Sequence, residues 1–160
     1  MAASRSHARL PLVGWREWLA LPALGVRQIK AKVDTGARSS ALHAFDVRRF
    51  TRGGTEMVRF RVHPIQRDTR QSVEAEQELV EMRRVKSSGG HQTLRPVILA
   101  EIELLGQRWT VELTLASRDT MGFRMLLGRE ALRERFVVDP ARSFLGGRPP
   151  KPPRGSSRAR

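Results

Sequence analysis

Apolar residues recur at every second position through much of this chain, and that period restricts it to strands. Ile29, Ala31 and Val33 alternate with Gln28, Lys30 and Lys32; Val58, Phe60 and Val62 alternate with Arg59 and Arg61. Ile98, Ala100, Ile102 and Leu104 alternate with Glu101 and Glu103, and Trp109, Val111, Leu113 and Leu115 with Thr110, Glu112 and Thr114. Successive side chains of a strand point to opposite faces, so each run offers one apolar face to a core. Leu105-Gly106-Gln107-Arg108, between the last two runs, reads as a hairpin turn. One short helix is expected near Arg129–Arg135, then a Phe136-Val137-Val138 strand stopped by Asp139-Pro140. Residues 64–94 are less regular, with mixed charge and the loop composition Ser87-Ser88-Gly89-Gly90-His91, a segment able to cover a cleft. The expected fold class is mainly β, a small closed or partly closed barrel with one short helix.

The ends differ from the body. Residues 1–11 read as a flexible leader without the apolar stretch of a secretory signal. Residues 147–160 are Pro, Gly, Ser, Lys, Arg and Ala without apolar periodicity and read as a basic, disordered tail. Residues 12–146 are left as one domain. No apolar run reaches the length of a membrane span, so a soluble, cytoplasmic protein without a membrane partner is expected.

Charge narrows the partners. The chain holds 30 basic and 16 acidic residues, a net +14. Five of the basic residues lie in 148–160 and two, Arg5 and Arg9, in the leader; without these seven, 23 basic residues still face 16 acidic ones. Such a body attracts polyanions: an acidic peptide, nucleic acid or anionic lipid. The tail reads as solvated chain or as an electrostatic tether to RNA or the ribosome.

Two segments carry chemistry. In Ala31-Lys32-Val33-Asp34-Thr35-Gly36-Ala37 a strand runs into an Asp, a Thr and a Gly. Attack of water on an amide needs a carboxylate base and a carboxylic acid, commonly two carboxyls sharing a proton. Gly36 lets the chain bend there, and the Thr35 hydroxyl can brace the loop. By itself the tripeptide also describes a plain turn. The second segment, Met125-Leu126-Leu127-Gly128-Arg129, precedes the helix, with an apolar pair able to pack beneath the Asp loop and a glycine permitting close approach.

In that order the chain resembles the retropepsin-like aspartic peptidases encoded near the RimK glutamate ligase, commonly labelled ATP-dependent zinc proteases. The residues that carry the resemblance are Gly14-Trp15-Arg16-Glu17, Lys32 to Ala44, Arg95-Pro96-Val97-Ile98, Leu113-Thr114-Leu115 with Arg118, Met125 to Leu132, and Phe136 to Pro140. The resemblance implies a small retropepsin-like (acid protease) barrel with a short C-terminal helix, and Asp34 at the catalytic position with Thr35 and Gly36. It also implies a substrate of the kind such a ligase makes: a glutamate tail on a ribosomal protein, or poly-α-glutamate.

One chain supplies one Asp-Thr-Gly, so a carboxyl pair requires a homodimer. A monomer would need a second acid or base, and Asp119 and His43 are the candidates. Arg38, Arg95, Arg118 and His43 are candidate substrate contacts, since guanidinium groups bind carboxylates bidentately. Arg129, expected to be buried behind Gly128, is read as a brace on loop carbonyls. No phosphate-binding Gly-Lys-Ser/Thr loop, no His-Glu-x-x-His and no cysteine occurs, so no cofactor is expected. A residual zinc case rests on His43 with His63 or His91. The competing readings are a non-catalytic module that binds glutamate-rich tails, and a ribosome- or RNA-associated accessory protein.

Overall fold

The computed structural model describes residues 10–65, 70–86, 89–117 and 122–148. Twelve strands and one short helix follow one another among these residues. β1 (Leu12–Val13), β2 (Arg16–Leu21), β3 (Val26–Asp34) and β4 (Ser40–His43) come first. Next come β5 (Phe45–Arg52), β6 (Thr55–Val62), β7 (Val73–Glu78), β8 (Glu81–Lys86), β9 (Gln92–Leu104) and β10 (Gln107–Ala116). β11 (Met125–Gly128), α1 (Arg129–Leu132) and β12 (Val137–Val138) complete the chain.

Six strands close on themselves in the order β10-β4-β11-β3-β2-β9, with β9 pairing back to β10, and β8 extends beyond β9. Closure removes the open edges that a lone sheet would present. The alternating runs supply the interior: Ile29, Ala31 and Val33 from β3, Ile98, Ala100, Ile102 and Leu104 from β9, Leu113 and Leu115 from β10, and Met125 and Leu127 from β11 are all buried. Thr114 departs from the alternation: it is buried, with its hydroxyl 3.3 Å from the Ser40 carbonyl, because β10 there lies between β4 and β9.

The expected turn between β9 and β10 is a two-residue one. Leu105 and Gly106 both take positive φ, 52° and 76°, the geometry that matches the twist of a tight hairpin. The helix is shorter than expected. After Leu132 the chain leaves helical geometry and Glu134 turns left-handed at φ 64°. Trp109 anchors this corner by donating from Nε1 to the Ala131 carbonyl at 3.1 Å and by packing on Phe136.

The irregular stretch at 64–94 is more ordered than its sequence suggests. β7 and β8 lie within it, and β7 joins β5 and β6 in a separate three-stranded sheet. Cross-strand ion pairs hold that sheet: Arg59 to Glu76 at 2.8 Å, Arg61 to Glu74 at 3.0 Å and Arg52 to Glu76 at 2.8 Å. The opposite face of the sheet is apolar: Val58, Phe60 and Val62 of β6 and Ala75 of β7 are buried in the core. The parallel pair β1–β12 brings the two ends of the described chain together. A buried carboxylate secures the same corner. Glu17, fully buried, accepts from the backbone N–H groups of Gly14 at 2.7 Å, Leu145 at 3.0 Å and Gly146 at 3.0 Å.

Candidate active site

β3 ends at Asp34, and the chain must reverse before β4 begins at Ser40. The turn is fixed locally by Asp34 itself. Its Oδ1 accepts the Gly36 N–H at 2.9 Å, and its carbonyl accepts the Ala37 N–H at 3.2 Å. This is the backbone-mimicking turn that Asp side chains favour. Asp34 is half-buried, while Thr35 and Gly36 are exposed.

The loop is clamped from the other side by the second motif. β11 runs parallel to β3, with Gly128 the register partner of Asp34. A Cβ on Gly128 would lie 2.5 Å from the Ser39 carbonyl oxygen, a separation no side chain tolerates. The Gly128 N–H donates to the buried Ser40 hydroxyl at 3.0 Å. The Arg129 and Glu130 N–H groups donate to the carbonyls of Ala37 and Arg38 at 2.8 and 3.2 Å. Arg129 is exposed rather than buried, yet it does brace the loop, donating from its guanidinium to the Gly36 carbonyl at 3.2 Å. Main chain and guanidinium supply the bracing that the sequence assigned to the Thr35 hydroxyl.

The other candidates fall in different places. Arg38 is exposed, 3.7 Å from Glu130, on the wall of a groove of about 740 Å³ that also takes in Ser39, Thr110 and Arg135. Arg83, on the same wall, pairs with Glu112 and Glu81, which raise its pKa above the ordinary arginine value. His43 sits at the opposite end of β4 from the Asp loop, three residues beyond Ser40 and so on the order of 10 Å along the strand. There its N–H donates to the Arg124 carbonyl at 2.8 Å. Arg95, on β9, is likewise three residues from Ile98, the residue in register with Leu113 and through it with Ser40. Its Nε donates to the Thr93 hydroxyl at 3.1 Å. The fold therefore brings Arg38 to the Asp loop and leaves His43 and Arg95 away from it. Arg118 and Asp119 lie outside the described residues, as do Ser87 and Ser88. Ser40 is the clamp residue that the sequence reading passed over; its signal was a small hydroxyl at the entry to the apolar strand Ala41-Leu42.

Among the described residues no three His, Cys, Asp or Glu side chains converge. His63 is stacked on Phe45 with its Nδ1 2.9 Å from the Gln71 carbonyl, and His91 is exposed in the turn before β9. Among the described residues no helix is long and apolar enough to cross a membrane.

Comparison with known proteins agrees with this geometry. Residues 12–149 match the model of a family described as RimB-like, retropepsin-like aspartic endopeptidase RimB. A probable alpha-L-glutamate ligase of Shewanella pealeana is 49% identical over 136 residues, which is 85% of this chain and 30% of that protein. One of Desulfotalea psychrophila is 45% identical over 130 residues, 81% of this chain and 28% of that protein. The chain thus spans less than a third of the length of these curated relatives. A crystal structure of a Legionella pneumophila protein of unknown function superposes with a TM-score of 0.71 at 30% identity, covering 85% of this chain and 98% of that one. The closed barrel, the clamped Asp-Thr-Gly turn and the match across 12–149 together place the chain in the RimB-like family of retropepsin-like aspartic endopeptidases.

Proposed function

We propose that the chain is one subunit of an aspartic peptidase that cleaves acidic peptides, glutamate tails among them. The observation that carries this reading is the Asp34 turn: a half-buried carboxylate with one oxygen held by the Gly36 N–H, on a loop clamped by β11. Each chain has a single Asp-Thr-Gly, so the working site forms when two copies bring their Asp34 carboxyls together. Carboxyls about 3 Å apart cannot both ionise, and the pair holds one proton. The ionised partner takes a proton from water as the water oxygen bonds to the peptide carbon, and the protonated partner gives its proton to the carbonyl oxygen. The tetrahedral hydrate then collapses, the C–N bond breaks, and the leaving amine takes up a proton. The products are a carboxylic acid and an amine.

The acidic substrate is supported by the basic body of the chain and by Arg38 beside the loop. It is further supported by relatives whose name is probable alpha-L-glutamate ligase, since a domain shared with a glutamate-joining protein is suited to glutamate-rich chains. The same observation favours a second reading, a non-catalytic module that holds a glutamate tail. Beyond residue 148 the basic tail is suited to ribosomal or RNA contact as an accessory property, and a protein working on ribosomal tails would act in the cytoplasm.

The test is hydrolysis of a synthetic poly-α-glutamate peptide by wild type and Asp34→Asn, with chelator and with added zinc, read by mass spectrometry. Cleavage by chelated wild type and none by the variant is the expected result. Cleavage only with zinc would replace the aspartic mechanism. Binding without cleavage in every condition would favour the module.

A further inference from the structure

We propose that the groove of about 740 Å³ beside the Asp loop is a distal substrate subsite, in which Arg135, held on the Trp109 ring, takes a carboxylate of an acidic peptide. This deepens the proposed function and rests on its acidic-peptide substrate. The groove begins at the Asp loop. Arg38 and Ser39 belong to the chain that follows Asp34-Thr35-Gly36, and they line it together with Glu130 of α1. From there β10 carries it outward. Leu113 is in parallel register with Ser40, and Trp109 stands earlier on the same strand, about 13 Å away. A peptide in extended form covers that length in about four residues, so Arg135 over Trp109 meets a side chain well beyond the residues joined by the bond being cut.

The charges that line the groove pair off and leave Arg135 over. Arg83 is held by Glu112 and Glu81. Arg38 stands 3.7 Å from Glu130 with both side chains exposed, a long surface contact that water screens and a ligand carboxylate can share. Glu134, the acid next to Arg135 in sequence, turns left-handed at φ 64° and lines a neighbouring hollow with Leu10 and Pro11, which Arg135 also borders. Among the described residues the Arg135 guanidinium has no carboxylate partner; it is held instead by the Trp109 ring, with 4.8 Å from guanidinium carbon to ring centre.

That hold fits Arg135 for the role. A guanidinium over an aromatic ring gains from the ring's negative face and keeps its N–H donors for a second partner. Trp109 is itself fixed by the bond from Nε1 to the Ala131 carbonyl and by packing on Phe136. Arg135 is thus restricted before a ligand arrives, and less side-chain freedom is lost on binding. It is half-buried and lines the groove, so it stays open to a ligand. Ser39 and Thr110, both exposed on the same groove, add hydroxyls able to donate to or accept from a peptide main chain. A run of glutamates satisfies this site in any register, because every residue of it carries the carboxylate that Arg135 takes.

The experiment measures kcat/KM for poly-α-glutamate peptides of about four and about ten residues, the shorter being unable to span from Asp34 to Arg135 when cut near its middle. In wild type the longer peptide is expected to be the better substrate. In Arg135→Gln and Arg135→Met that advantage is expected to fall about tenfold, through KM, with the shorter peptide cut as by wild type. Arg135→Met keeps an apolar stem against Trp109, and thermal melts of both variants report folding. Arg133→Gln removes an exposed charge that does not line the groove, and is expected to keep the advantage. Equal cutting of both peptides by wild type, an unchanged advantage in a folded Arg135 variant, or an equal loss in Arg133→Gln overturns this inference and leaves the peptidase reading standing. If wild type cuts neither peptide, the peptidase reading falls, and the affinity of the longer peptide by calorimetry decides the groove: weaker binding by the Arg135 variants supports it, and equal binding overturns it as well.

Discussion

Asp34 and Gly128 are register partners at the ends of two parallel strands, and the space beside Gly128 is filled by the Ser39 carbonyl, 2.5 Å from where a Cβ would stand. The carboxylate's position is thus set by a residue 94 positions later that has no side chain. Gly128→Ala must push the loop away from β11 and strain the Gly128 N–H to Ser40 hydroxyl bond. Activity is expected to be lost and the melting temperature to fall. Ser40→Ala removes the hydroxyl but leaves room, and is expected to cost about 1–2 kcal/mol, read from denaturant titration. If Gly128→Ala has wild-type activity and stability, the clamp does not position Asp34.

Glu17 offers a stability test away from the loop. Its buried carboxylate ties the turn at Gly14 to Leu145 and Gly146 near the other end of the described chain. Glu17→Ala leaves buried donors without an acceptor, and a loss of about 3 kcal/mol or more is expected. Glu17→Gln keeps one acceptor oxygen and should be milder. Equal stability of wild type and Glu17→Ala in urea would mean that the termini are held by β1–β12 pairing and packing alone.

These two residues mark what the sequence reveals and what it hides. The barrel strands are legible because each buries one face, and burial writes itself as alternation. Glu17 falls on the inward phase of β2 with Leu19 and Leu21, so its burial was readable, but its partners some 130 residues away were not. In the β5–β7 sheet β6 was legible from Val58, Phe60 and Val62, but its charge pairing with β7 exists only once Arg59 meets Glu76. The Asp-Thr-Gly turn was visible as a motif, whereas the close approach of Ser39 to Gly128 that fixes it exists only in the fold.

Acid should weaken the β5–β7 sheet. Hydrogen bonds from Arg59, then Arg52, hold the Glu76 carboxyl below the ordinary glutamate value near 4.5. A carboxyl whose pKa is lowered by folding contributes stability above the unfolded value and loses it as pH falls through the folded one. The loss therefore begins near pH 4.5 and continues below it. Glu76→Gln is expected to be less stable than wild type at neutral pH and to show a shallower decline in melting temperature on acidification. Parallel pH profiles for the two proteins would show that Glu76 contributes nothing measurable.

The last prediction concerns the second carboxyl. Among the described residues, the structure leaves His43, a candidate second acid or base, away from Asp34, while Thr35 and Gly36 stand exposed beside it. On the proposed reading Asp34 is half of a carboxyl pair that its own copy completes, through an interface that places the same residues on both sides. Specific activity should then fall on dilution, in step with dissociation followed by analytical ultracentrifugation. Mixing supplies a sharper test. When wild type is exchanged with an equal amount of Asp34→Asn, random pairing leaves about a quarter of the dimers with two aspartates. Heterodimers with one aspartate cannot supply both acid and base, so activity per total chain should drop to about a quarter. A monomeric enzyme would retain about half under the same mixing, because each wild-type chain would work alone, and that result would direct the search for the second group to Asp119.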